Sequence, residues 1–343
     1  MNQPERDELL AVVKRMLPGS AGMDPIGIWP LSGGGNNRLF KVEVSGAPFV
    51  LKRYFRHPDD RRNRLDSEYR FSQFLWQRGV RCIPEPLARD DASGSGLYRY
   101  VEGLPVAPES ITDRHQHEAQ SFLTQTNGWR QDAGAKTLPE ASEACFTLQQ
   151  HLDLVERRIQ RLLALPHSDG IGIREEAAVF ARERLLPAWH GVRADCVRRA
   201  GETKRSLDEP LAAADRILSP SDFGFHNALH TEQGLVFLDF EYAGWDDPAK
   251  TVCDFFCQIA VPVPRRYWGA VSSFAAGLTG APENTQLRMQ MLLPVYQVKW
   301  VCIALNHFLA VDGERRRFAS GDVEMHLTSQ LESAERLLAA VQF

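Results

Sequence analysis

The sequence has no run of about 18 uninterrupted apolar residues, so a membrane-spanning helix is not expected. Its opening, MNQPERDELLAVVKRML, is charged throughout and lacks the apolar stretch of a secretory signal. It has no single-sign charge excess either: 40 Lys and Arg face 44 Asp and Glu, a net charge of −4. That balance gives no reason to expect a nucleic-acid partner. There is no CxxC pair among the six cysteines, and Cys253 and Cys257, four apart, have no nearby His or Cys to complete a zinc site. Buried apolar thiols in a reducing, cytoplasmic setting are expected instead. Internal repeats and low-complexity tracts are missing too, which argues against solenoids and disordered tails.

What is present is ordinary globular material, with 43% hydrophobic and 24% charged residues spread over 343 positions. Leu9, Leu10, Val12, Val13 and Leu17 have helical spacing. From Gly27 to Phe55 the pattern alternates, with turn signals at Gly33–Asn37 and Ser45–Pro48, and predicts an antiparallel meander of two or three strands. A helix is predicted from Arg61 to its stop at Gly79, and a strand over LYRYVEG at 97–103. The polar stretch 104–142 reads as loop and short helix. Long helices are predicted at roughly 143–165 and 174–200, and the apolar stretch 292–311 as a core helix, because it carries Lys299 and Asn306. The fold class is therefore α+β: a small β-rich N-terminal lobe, residues 1–103, and a larger, mostly helical lobe, residues 104–343, hinged near Tyr100–Leu104. The charged segment RYFRHPDDRRNR at 53–64 reads as a solvated face.

The chemistry lies in four places. Gly33, Gly34 and Gly35, followed by Asn36 and Asn37, sit between two predicted strands, where glycines let backbone N–H groups approach phosphate closely. No Gly-Lys-Ser/Thr follows, and the next element is a strand rather than a helix, so neither a Walker A loop nor a dinucleotide fingerprint is present. Lys52 lies in the second strand after that turn, and Glu68 on the following helix is a candidate partner to hold it. Tyr100 and Glu102, in the linking stretch, are further candidate nucleotide contacts.

The fourth place is SDFGFHN at 221–227. Asp-Phe-Gly spells the metal-binding triplet of protein kinases, but no catalytic loop precedes it. Read instead as the catalytic loop, it offers Asp222 as the catalytic carboxylate and Asn227, five residues on, as a metal ligand. Asp239, seventeen residues on at the end of an apolar strand, is then the main metal ligand, with Glu241 as a possible auxiliary. Taken singly, Asp222 and Asn227 are ordinary turn residues; the order Lys52, Glu68, Asp222, Asn227, Asp239 is what favours catalysis. His226 reads as a loop support rather than a base, and the Asp246–Asp247 pair before Pro248 as a helix cap.

The segments SGGGNNRLFKV, VLKRY, EYRFSQFLWQRGVRCIPEPL, YRYVEG, SDFGFHNAL and LVFLDFEYAGWDDPAKTVCDF occur in an order that resembles the aminoglycoside phosphotransferase and choline kinase family. The resemblance implies a two-lobed kinase-like fold with ATP in the cleft and an acceptor held by C-terminal helices. It implies that Lys52 binds nucleotide phosphates, that Asp222 is the catalytic Asp, and that Asn227 and Asp239 bind Mg²⁺. One departure is clear: the family loop begins His-Gly-Asp, and here Pro220-Ser221-Asp222 stands in its place. The expected reaction is phosphoryl transfer from ATP to a hydroxyl of a small molecule, with a sugar-like acceptor preferred over an aminoglycoside or amino alcohol, because the acids in 104–142 are dispersed. The alternatives are a nucleotide-binding pseudokinase, against which the intact acids argue, and a protein kinase, against which the missing Ala-Pro-Glu argues.

Overall fold

A computed structural model describes residues 1–17, 26–31, 36–58, 60, 62–165, 172–309, 318 and 327–341. Gly33, Gly34 and Gly35 lie outside the described residues.

Strands β1 (Ile26–Leu31), β2 (Arg38–Val44), β3 (Ala47–Arg53), β4 (Pro86–Asp90) and β5 (Ser95–Arg99) form one antiparallel sheet in the order β1-β2-β3-β5-β4. The β2–β3 turn is the two-residue Ser45–Gly46, both at positive φ, which matches the twist of a tight hairpin. Alternation sorts the two faces. Phe40, Val42, Val44, Phe49 and Leu51 point one way, onto Leu9, Val12, Val13 and Met16 of helix α1 (Gln3–Met16). Lys52, one residue past Leu51, therefore points the other way, toward helix α2 (Arg64–Gln77). Asn63 caps α2 by accepting from the Asp66 N–H at 3.1 Å, and Gly79 at φ +85° ends it in a left-handed turn.

Beyond Gly103 the chain is mostly helical: α3 (Asp113–Asn127), α4 (Leu148–Leu163), α5 (Ile173–Phe180) running through a π-helical turn at Ala181–Leu185 into α6 (Leu186–Glu202), α7 (Pro248–Cys257), α8 (Trp268–Gly277), α9 (Pro282–Ala304) and α10 (Leu327–Ala339). The buried α9 lies at the centre, against α4, α6, α7, α8 and α10. Among the described residues no helix is long and apolar enough to cross a membrane. Five cysteines are buried, Cys82 is half-buried, and all six are free thiols.

Two small β units frame the chemistry. Strand β6 (Leu104–Pro105) pairs with β8 (Ala228–Thr231), which pairs with β9 (Gly234–Phe237); β7 (Ile217–Ser219) pairs with β10 (Gly244–Asp246). Residues 220–227 thus hang between β7 and β8, and 238–243 between β9 and β10.

The mixed α+β expectation agrees with this architecture. Local expectations differ in three places. The stretch 104–142, expected as loop and short helix, contains the 15-residue helix α3. The strand placed at 97–103 runs from Ser95 to Arg99. The charged segment 53–64 is not simply a solvated face: Arg64 is buried and bonds Asp60 at 2.6 Å and the Phe55 carbonyl at 3.2 Å.

Candidate active site

A cleft of about 390 Å³ lies between the five-stranded sheet and the β8–β9 hairpin. Its lining includes Val50, Lys52, Glu68, Tyr100, Asn227 and Asp239. The hairpin brings the last two together. Ala228 pairs with Phe237, and the Leu238 N–H donates to the Asn227 carbonyl at 2.8 Å, so Asn227 and Asp239 sit side by side although twelve positions separate them.

Lys52 is buried and makes two charged contacts: Nζ to Glu68 Oε2 at 2.7 Å and to Asp239 Oδ1 at 2.5 Å. Glu68 is buried too, so its partner is the strand lysine and not Arg64 on its own helix. Burial by itself would lower the Lys52 pKa; the carboxylates of Asp239, Glu68 and Glu241 outweigh it and hold the ammonium charged. Asp239 is pushed up to about 7 by burial, against the pull of Lys52 and with repulsion from Glu241 and Glu68 added. Glu68, Asp239 and Glu241 thus surround Lys52, with the Arg64 guanidinium beside Glu241. Asp239 also holds φ at +64°, a strained setting for a residue with a Cβ, which aims its side chain into the cleft.

Glu241 is fully buried and serves as a clasp. Its Oε1 accepts from Asn36 Nδ2 at 3.0 Å and its Oε2 from Asn37 Nδ2 at 2.6 Å, with Arg64 Nε 3.6 Å away. Asn37 is buried, and its Oδ1 accepts from the Phe55 N–H. The two asparagine side chains therefore tie the start of β2 to the 238–243 loop, and both residues also line the cleft.

Asp222 is half-exposed, at the end of the loop from β7. Asn227 Nδ2 donates to its carbonyl at 2.9 Å, and His226 Nε2 lies 3.3 Å from its Oδ1. Against its burial, the His226 and Asn227 contacts and the charge of Lys299 hold its carboxyl below the usual range. It therefore stays ionised. Asp222 does not line the nucleotide-sized cleft itself, whereas its loop neighbours His226 and Asn227 do. Glu102 is exposed and is not among the lining residues, although Tyr100, Val101 and Gly103 are. Trp245 packs against the core and donates Nε1–H to the Ala135 carbonyl at 2.9 Å.

A buried charge ladder behind the loop is not evident from motif reading. Lys250 Nζ meets Asp246 Oδ2 at 2.6 Å and Ser221 Oγ at 3.3 Å; Lys299 Nζ meets both Asp254 oxygens at 2.8 and 2.9 Å; Trp300 Nε1 donates to Asp254 at 2.8 Å. Its only sequence signal is the four-residue spacing of Asp246, Lys250 and Asp254, which puts all three on one face of α7 and its entry. Asp247 caps α7 as expected, accepting from the Ala249 N–H at 2.7 Å.

A small antiparallel sheet over a helical body, with a paired lysine facing an Asp/Asn hairpin, defines a kinase-like phosphotransferase. The model of the phosphotransferase enzyme family matches residues 27–271, and the chain belongs to that family; it is a small-molecule phosphotransferase. Among solved structures it is similar to a choline/ethanolamine kinase family protein from Mesorhizobium loti, at 20% identity over 98% of both chains with a TM-score of 0.55. Choline kinase from Cryptosporidium parvum is 11% identical over 98% of both chains, TM-score 0.56. A spectinomycin phosphotransferase in complex with ADP and spectinomycin is 12% identical over 96% of this chain and 98% of its own, TM-score 0.59. At these identities the likeness speaks for the fold. Among curated proteins, none matches the sequence.

Proposed function

We propose that the protein transfers the γ-phosphoryl group of ATP to a hydroxyl of a sugar or sugar-like metabolite. The observation that supports this most is Lys52, buried in the cleft and bridged to both Glu68 and Asp239. Residues 1–103 act as the nucleotide-binding lobe and 104–343 as the catalytic and acceptor lobe; Leu104–Pro105 is the first segment to pair with the C-terminal strands.

Lys52, oriented by Glu68, binds the nucleotide phosphates, a role proposed also for backbone N–H groups of Gly33–Asn37. Tyr100 flanks the nucleotide in the linking stretch, and Glu102 contributes by backbone alone. Asn227 and Asp239 suit Mg²⁺. Both present hard oxygen donors to one cleft, and Asn227 Oδ1 and Asp239 Oδ2 have no other partner among the described residues. No group of three His, Cys, Asp or Glu forms a ready-made metal cage among the described residues. Bound there, Mg²⁺ would offset charge on the phosphoryl group in flight. Asp222 orients the acceptor hydroxyl. As that oxygen bonds to the γ-phosphorus and the bond to the ADP leaving group breaks, the hydroxyl proton passes to Asp222.

The acceptor class follows from charge pairing. A polycationic acceptor must exchange water for free carboxylates. Near Asp222 the acids are already committed: Asp246 to Lys250, Asp254 to Lys299, and Glu143 to Arg158 at 2.6 Å. In the 104–142 stretch Asp113, Glu118 and Asp132 bond Tyr267, Arg114 and Arg78. ATP consumption with a panel of sugars, amino alcohols and aminoglycosides tests the reading. An aminoglycoside or amino alcohol exceeding every sugar tenfold in kcat/KM, about 1.4 kcal/mol in the transition state, would overturn the acceptor class; no ATP consumption with any acceptor would overturn the activity.

A further inference from the structure

We propose that His226 is a positioning residue for Asp222, donating Nε2–H to its carboxylate and so fixing the oxygen that faces the acceptor. The inference rests on the phosphotransfer reading of Asp222 and adds a residue to it. Four observations carry it. Nε2 lies 3.3 Å from Asp222 Oδ1. The ring's other nitrogen, Nδ1, is buried with no hydrogen-bond partner among the described residues. The ring lies against Gly224, where a Cβ would come within 2.5 Å of Nδ1. And His226 borders the cleft while Asp222 does not, so the ring stands between the nucleotide side and the carboxylate.

The bare Nδ1 decides the tautomer. An N–H at that buried position would be a donor without an acceptor, which is costlier than a lone pair left idle. The proton therefore sits on Nε2 and points at Asp222. In that form Nε2 has no lone pair to receive a proton, so the ring orients the carboxylate and does not relay its proton. Asn227 restrains the same aspartate from the other side, with Nδ2 2.9 Å from its carbonyl and 3.4 Å from Oδ2. Two donors from one short 3₁₀ turn thus hold Asp222 in a loop that lacks the histidine expected at Pro220. A loose catalytic carboxylate lowers turnover without weakening nucleotide binding.

The test compares His226→Ala, His226→Gln and Gly224→Ala with the wild type. His226→Ala should lower kcat roughly tenfold or more while the Kd for Mg·ATP stays within about twofold. His226→Gln, whose amide can donate in place of Nε2, should recover most of the loss. Gly224→Ala, which displaces the ring, should resemble His226→Ala. A second readout does not use activity: ¹⁵N spectra of the imidazole should show a proton on Nε2, with a signal that moves in Asp222→Asn. Wild-type kcat in His226→Ala, a Gln variant as impaired as Ala with equal loss of ATP affinity, or a ring protonated at Nδ1 would each overturn the proposal. A wild-type chain with the expected ¹⁵N signature but no ATP turnover would overturn the phosphotransfer reading, and the positioning role with it.

Discussion

Lys250→Met should destabilise the protein by about 3–5 kcal/mol at pH 7.5, the usual cost of removing one partner from a buried ion pair. Asp246 and Lys250 are 0% and 1% exposed, and their 2.6 Å contact has no solvent to replace it. Burial lifts Asp246 to about 6 even with Lys250 present, so Lys250 offsets only part of the carboxylate's lost hydration. Unfolding entropy of about 2.1 cal/mol/K per residue, over 343 residues, turns that loss into a fall in Tm of roughly 4–7 °C for a cooperative transition. The deficit should depend on pH. A carboxyl whose folded pKa stands above its unfolded value of about 3.9 contributes stability that is full below about 4 and lost as pH rises through the folded pKa. For the wild type that window is about 4 to 6; without Lys250 it extends upward. The gap between variant and wild type should therefore narrow from pH 7.5 to pH 5.5. Adding Asp246→Asn should restore most of the loss, because the amide oxygen can still accept from the Asp247 and Cys145 N–H groups. Urea denaturation of the three chains at both pH values measures this. A deficit under about 1 kcal/mol, the range of an exposed pair, or one that does not change with pH, would refute the reasoning.

In Asp222→Asn, phosphoryl transfer should fall by about 10²–10⁴-fold, the range for a lost general base, with ATP affinity near wild type; near-normal turnover by the purified variant would remove Asp222 from its role. Asp239→Ala should weaken Mg²⁺-dependent ATP binding far more than Phe223→Leu does, and equal metal affinity in wild type and Asp239→Ala would show that the two aspartates have been assigned the wrong way round. Asp247 is held well below the ordinary carboxylate range by Arg288 and His151 against its burial. A depressed carboxyl contributes stability above its unfolded pKa of about 3.9 that is lost as pH falls further. Acid unfolding should thus be shallower in Asp247→Asn than in the wild type, and parallel acid transitions for the two would count against it.

Legibility of the sequence tracked how far each element obeys a period. The β2–β3 hairpin was readable because apolar residues alternate and Ser45–Gly46 interrupts them, and the same alternation implied that Lys52 faces away from Leu51. Glu68 was readable only as a candidate; burial separates its strand partner from the surface alternative, and burial is a tertiary fact. Helix α3 was not readable because its inner face includes His115, Gln116, Thr126 and Asn127 beside Phe122 and Leu123. Asn127 earns that buried place by bonding both backbone groups of Leu218 in β7, at 2.9 and 3.1 Å. A polar residue satisfied by another segment carries no helical signal of its own. The clasp on Glu241 was hidden for the same reason: its partners lie more than 200 positions away.

The Asp-Phe-Gly triplet shows why letters rank below placement. Phe223 is buried, its ring stacked on Phe255 at 5.1 Å and set beside Phe237 at 5.4 Å, so it anchors the loop to α7 and to the hairpin. Gly224 has extended backbone, which any residue could adopt; its missing Cβ is what lets the His226 ring lie against it. Neither residue does anything that requires a metal. What separates Asp222 from Asp239 is the hairpin between them. A loop that enters β8 leaves its last residue, Asn227, at the open end of that hairpin, and β9 returns the chain to the same end two residues before Asp239. Two oxygen donors side by side across a hairpin, with Lys52 beside one of them, can serve a cation and a polyphosphate together. Asp222, outside that cleft, is the carboxylate we propose for the acceptor. A triplet moved elsewhere in the chain would keep its letters and lose this geometry, whereas a hairpin with different letters at 223 and 224 would keep it.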